Sequence, residues 1–149
     1  MSRRVVVLTI AALVLCTRAA FAQTLTTAGS PATMRVTTAV AGSEPLPITV
    51  SGGSYTVTTP QANRTYAITA RLNANMPTGT TMAITLSAPP NAVSLGAVSL
   101  DVTARNVITG IDRRENFTQN ITYTFTATAA AGVVPLSSRT VTLTLIQFP

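Results

Sequence analysis

An all-β, antiparallel sandwich of seven to eight strands is the fold this sequence predicts, and three observations predict it. First, period two dominates. Ile121-Thr122-Tyr123-Thr124-Phe125-Thr126-Ala127-Thr128 and Thr140-Val141-Thr142-Leu143-Thr144-Leu145 alternate apolar and threonine without error. Successive side chains of a strand point to opposite faces, so each segment has one apolar face and one threonine face. Second, 28 of the 149 residues are Thr, a β-branched residue suited to a pleated, half-exposed surface. Third, no stretch sustains a 3.6-residue period; Ala127 to Ala131 is closed by Gly132 and Pro135 before a helix forms. A hydrophobic content of 46% with this patterning excludes intrinsic disorder. The length suits one domain rather than two.

The chain opens on an address. Arg3 and Arg4 precede the apolar run Val5 to Cys16, and Ala20-Phe21-Ala22 supplies a small-x-small cleavage pattern. This is the layout of a secretory signal cleaved after Ala22. The run is shorter than the roughly 20 residues of a spanning helix, so no membrane span is expected in the mature chain. Leu13-Val14-Leu15-Cys16 has the outline of a lipoprotein box, but Leu15 stands where Gly, Ala or Ser is wanted. Residues 1–22 are therefore read as a signal, 23–32 as a loose N-terminal arm and 33–149 as a single sandwich domain. The mature chain would lie in the periplasm, on the cell surface or outside the cell. It has no Cys and hence no disulfide, although oxidising compartments favour them in small domains.

The strands follow in order. Met34, Val36, Thr38 and Val40 line one side of the first. Leu46 to Val50 and Tyr55 to Thr59 flank Ser51-Gly52-Gly53-Ser54, which reads as a hairpin turn because Gly tolerates positive φ. Tyr66, Ile68, Ala70 and Leu72 make the next stripe. Met82, Ile84 and Leu86 follow a turn at Met76-Pro77-Thr78-Gly79, and Ala88-Pro89-Pro90-Asn91 ends that strand, since Pro cannot donate to a ladder. Val98, Leu100 and Val102 precede the two strands described first. Short strands at this spacing suggest immunoglobulin-like or Greek-key connections. The core expected from these stripes is Val36, Ile48, Val57, Ile68, Ile84, Leu86, Leu100, Val102, Tyr123, Phe125, Val141, Leu143 and Leu145.

Chemistry is sparse. Charged residues are 9% of the chain, against roughly 25% in an ordinary domain. All ten cations are Arg, and His is absent. That excludes Ser-His-Asp and Cys-His catalysis and imidazole metal sites. The acids are Glu44, Asp101, Asp112 and Glu115. Asp112 and Glu115 share the segment Asp112-Arg113-Arg114-Glu115-Asn116, where a small extracytoplasmic hydrolase would need its carboxylate pair. Nothing else in the chain would position a substrate, so this segment is read as a binding loop, not a catalytic site. Arg113 and Arg114 would repel Ca²⁺. The mature arginines are scattered rather than clustered, which argues against nucleic acid as a partner. No cofactor is implied. An outer-membrane barrel would need aromatic girdles and longer strands. Asn63-Arg64-Thr65, Asn116-Phe117-Thr118 and Asn120-Ile121-Thr122 match a glycosylation pattern that chance supplies in a Thr-rich chain.

Edges are the remaining signal. Sheets protect their edges with Lys, Pro, bulges or inward charges. This chain has no Lys, and neither Ile121 to Val134 nor Thr140 to Pro149 holds a charge. Such segments are either central strands or edges that a neighbouring subunit completes. In its signal, its Thr/Val/Ala-rich strands and its terminal Val141-Thr142-Leu143-Thr144-Leu145, the chain resembles secreted bacterial immunoglobulin-like and pilin-like β-sandwich proteins. The resemblance implies a non-catalytic structural or binding role at or outside the cell surface. Its alternative form is a coat or filament subunit that pairs with itself, or with another surface protein, through strand edges.

Overall fold

The computed structural model describes residues 23–38, 42–60 and 64–148. Residues 1–22, read above as a signal and including Cys16, lie outside them, as does Val40. Nine strands form in chain order: β1 Thr24–Ala28, β2 Ile48–Thr58, β3 Thr65–Leu72, β4 Thr80–Leu86, β5 Val93–Ser94, β6 Val98–Ser99, β7 Arg105–Ile111, β8 Asn116–Ala127 and β9 Val141–Phe148. One sheet has the order β1-β2-β8-β4-β6 and the other β5-β7-β3-β9. Every pairing is antiparallel, and the two sheets pack as a sandwich. The alanines after β8 make only a single 3-10 turn, Ala129–Ala131.

The alternation predicts β3, β4, β8 and β9 well. In β8, Ile121 and Tyr123 face inward and are buried. The intervening threonines face out and meet threonines of β2: Thr49 Oγ1 lies 3.1 Å from Thr124 Oγ1, and Thr56 Oγ1 lies 2.7 Å from Thr118 Oγ1. Cross-strand pairs of this kind are the unit of sheet stabilisation.

The Gly52-Gly53 pair is not a hairpin turn. β2 runs through it as one strand of eleven residues. Ser51 pairs with Thr122 and Gly53 with Ile121, so Gly52 is an inserted residue: a β-bulge. Before the bulge the even-numbered Ile48 and Val50 turn inward; after it Tyr55 and Val57 do. Both glycines are needed. A Cβ on Gly52 would sit 2.3 Å from the ring of Tyr123, and one on Gly53 would sit 2.1 Å from the Ala28 carbonyl oxygen.

Four further expectations are corrected. Thr24–Ala28, within the supposed loose arm, is an edge strand paired with Ser54–Thr58 of β2. Residues 31–38 form no strand. Met34 still packs against the core, while Val36 is half-buried. The Val98–Val102 stripe pairs with β4 only at Val98 and Ser99. Leu100 remains buried, but Val102 is 47% exposed, since the chain bends at Asp101, whose carboxylate accepts the Thr103 N–H at 2.7 Å. Finally, Arg105–Ile111 is a strand without clean alternation. Two register shifts against β3 turn the adjacent Val107 and Ile108, and then Ile111, toward the core.

The core therefore differs in part from the expected set. Val57, Ile68, Ile84, Leu86, Leu100 and Tyr123 are buried, joined by Tyr55, Val107, Ile108 and Ile111. Ile48, Phe125, Val141, Leu143 and Leu145 are half-buried. Tyr55 is fully enclosed, donates its hydroxyl to the Ser87 carbonyl at 2.5 Å, and meets Phe117 edge-to-face at 6.0 Å.

Two predictions follow from this core. Gly52→Ala, measured by urea denaturation, destabilises the fold by about 1–3 kcal/mol through overpacking, and by less when Tyr123 is shortened to Leu. Burial raises the phenol pKa of Tyr55, and that of Tyr123 in the same direction. The unfolded chain therefore loses these protons first, so stability is fully present below pH of about 10 and falls as pH rises above it. Tyr55→Phe flattens that alkaline limb in a pH series of unfolding curves, and costs about 1 kcal/mol at neutral pH through the lost hydrogen bond.

Candidate functional site

Asp112-Arg113-Arg114-Glu115-Asn116 forms the crossing from β7, in one sheet, to β8, in the other. A crossing of this kind must satisfy its backbone without a ladder. Thr59, just past β2, does this. It is one of only two buried polar residues among those described, at 4% exposure. Its hydroxyl donates to the Asp112 carbonyl at 2.9 Å and accepts the Glu115 N–H at 2.9 Å. Its own N–H donates to the Glu115 carbonyl at 2.9 Å. The Arg114 N–H reaches the Pro60 carbonyl at 3.3 Å, and Arg114 takes φ of 61° to do so.

The result is a pinned backbone with outward side chains. Asp112, Arg113, Arg114 and Asn116 are exposed and Glu115 is half-buried. The Asp112 carboxylate accepts the Arg113 N–H at 3.2 Å, which ties it to its own turn. The five residues predicted as a loop are thus brought together, but as a corner of the sandwich rather than the wall of a cleft. Thr59 was not legible as their partner, because nothing local separates it from the chain's other threonines.

The other acids also serve turns. Asp101 pairs with Arg105 at 2.5 Å, and that hydrogen bond, followed by the one from Thr103, holds its carboxyl below the usual range. The Glu44 carboxylate accepts the Ala129 N–H at 2.5 Å. Among the described residues no three His, Cys, Asp or Glu gather into a group fit to hold a metal ion, and no helix is long and apolar enough to cross a membrane.

Concavity lies elsewhere. At the end of the sandwich holding Ile48, Thr80, Ala127 and Val141, a cavity of about 1480 Å³ opens between the sheets. The connections at 29–38 and 132–140 run over it. Sequence patterning could not reveal it, since it depends on which strands face each other across the sandwich. Comparison with protein-family models, with curated proteins and with solved structures returned no match.

The corner loop makes its own prediction. Thr59→Val strands the Asp112 carbonyl and the Glu115 N–H and lowers stability by about 1–3 kcal/mol. Hydrogen exchange at the Glu115 amide quickens with it, whereas Thr59→Ser keeps both properties near wild type.

Proposed function

We propose that this protein is an exported, non-catalytic β-sandwich with a structural or binding role at or outside the cell surface. One observation carries the reading: three of the four carboxylates are spent on turns. Asp101, Asp112 and Glu44 each accept a backbone N–H within their own connection or a neighbouring one. The outer face of the β2–β8 pair is instead a ladder of threonines. Groups committed to holding loops are poorly placed to hold and transform a substrate.

A second reading, self-assembly through strand edges, is favoured by the position of β9. The uncharged segment Ile121 to Ala127 belongs to β8, between β2 and β4, where both edges are paired. The uncharged Val141–Phe148 is different: it ends its sheet, with β3 on one side only. Eight residues without Lys, Pro or any charge are the kind of edge that natural sheets avoid exposing unless it pairs. β2 adds a shorter stretch, since β1 covers Ser54–Thr58 but not Ile48–Ser51.

The test is expression of residues 1–149 in a bacterium, followed by mass spectrometry and light scattering of the product. The expected product is exported, begins at Gln23 and grows in mass with concentration. Thr142→Lys with Thr144→Lys, both on exposed positions, returns it to a monomer. An unprocessed cytoplasmic chain overturns the export reading. A monomer at every concentration overturns assembly.

A further inference from the structure

The two ends of the sandwich are filled differently. At the end where Ile111 and Leu86 lie, the inward side chains are fully enclosed, with Tyr55, Val57, Leu86, Ile108 and Ile111 all at 0% exposure. At the other end Met82, Phe125, Val141 and Leu143 are only half-buried, although Leu72 is enclosed. They surround the cavity of about 1480 Å³, whose walls include Leu72, Met82, Phe125 and Leu143 from the strands and Met34 and Met76 from the connections. That is larger than the roughly 300–1,000 Å³ of ordinary ligand pockets. The cavity opens to solvent, with the apolar walls between the sheets and Thr, Ser and Arg side chains from the connections over them, the division of apolar body and polar mouth that an amphipathic molecule fits.

Three features of the walls specify an occupant. The chain's methionines are Met1, Met34, Met76 and Met82, and every one in the described residues lines this cavity. Met is flexible and polarizable, and is favoured where an apolar surface must adapt to a ligand. Next, the charged residues among the described lining are Arg35, which is exposed, and Arg139; Glu44, between the lining Ser43 and Pro45, has its carboxylate bonded to the Ala129 N–H. Arg139 is half-buried and is steadied by bonds from its Nε to the Asn75 carbonyl at 2.9 Å and from its Nη1 to the Ser138 carbonyl at 2.8 Å. Last, the rim carries Val133 and Leu136, exposed at 99% and 82%, in the connection between β8 and β9. They add apolar surface at the mouth to that of the walls.

We propose that this cavity binds a long aliphatic chain with an anionic head. The chain lies between Met82 and Leu143, and the head lies at the mouth against Arg35 and Arg139. The assignment rests on the binding half of the reading above and is independent of assembly.

The test uses the processed protein and the fluorescent fatty acid cis-parinaric acid. The expected result is a saturable, one-to-one rise in fluorescence, reversed by oleate and much less by oleyl alcohol. Arg35→Gln with Arg139→Gln weakens binding by about tenfold. Met82→Trp, which puts an indole in the path between Met82 and Leu143, weakens it by at least about tenfold, and circular dichroism verifies that each variant keeps its β-sheet. Leu143→Trp repeats the block from the opposite sheet should Met82→Trp not fold. A folded protein that takes up no probe overturns the proposal, as does uptake unchanged by both tryptophans. Equal displacement by acid and alcohol overturns the anionic head. Light scattering on the same samples judges assembly separately, and a dimer that excludes the probe gives the cavity to a second copy and overturns the lipid assignment.

Discussion

The fold depends on a change of parity in β2. A strand shows every second residue to the core, so Ile48 and Val50 on even positions and Tyr55 and Val57 on odd ones cannot all face inward along one regular strand. One extra residue at Gly52 resolves the conflict. It has to be Gly, because the ring of Tyr123 lies where a Cβ would stand. The same aromatic ring thus fills the gap in the bulged strand and anchors the middle of β8. Gly53, with φ of 92°, lets the chain at Ala28 and Gly29 pass close by, which fixes where β1 stops pairing. The site of this bulge therefore divides β2 into a half with two neighbours and a half with one.

That division organises the rest. On one side of it lie Tyr55, Ile108, Ile111 and Leu86, all fully enclosed, with the corner loop clasped by Thr59. On the other side the strands hold the same alternation, but the connections that should cap them are long and irregular. A chain without a disulfide must gain its stability from burial, and here burial is concentrated at the clasped end. The other end is left with a cavity of about 1480 Å³ between the sheets, where the inward side chains contribute less burial to the fold.

Much of this was legible, and the failures have physical causes. Alternation locates β4, β8 and β9 because those strands keep one face toward the core, and β3 because its larger apolar side chains alternate with small or polar ones, although Tyr66 to Ala70 are buried on both faces. It fails wherever a bulge intervenes. The Gly52-Gly53 pair looks like a turn because the signal for positive φ is the same in a turn and in a bulge. β7 escapes because two shifts place Val107 and Ile108 side by side in the core, which no period describes. Residues 33–38 alternate as a strand does, yet form no ladder, since pairing belongs to two segments and one segment's pattern does not contain it. β1, three Thr in five residues and exposed except at Leu25, has the partner and lacks the pattern. The corner loop Asp112–Asn116 was visible as a loop; its clasp by Thr59 joins residues 53 positions apart, and no local signal spans that distance.

β9 shows how two roles can share one strand. Its side chains at Val141 and Leu143 point into the interior and help wall the cavity. Its outer backbone edge points sideways, in the plane of the sheet, away from β3. Side-chain and hydrogen-bonding directions of a strand are perpendicular. A neighbour that adds to the edge therefore leaves the cavity in place, and a molecule in the cavity leaves the edge in place. The threonines between them, Thr142 and Thr144, face solvent and belong to neither contact. They are where a charge would act on edge pairing without entering the cavity, so the strand's own pleat separates the two surfaces that a single apolar patch would have merged.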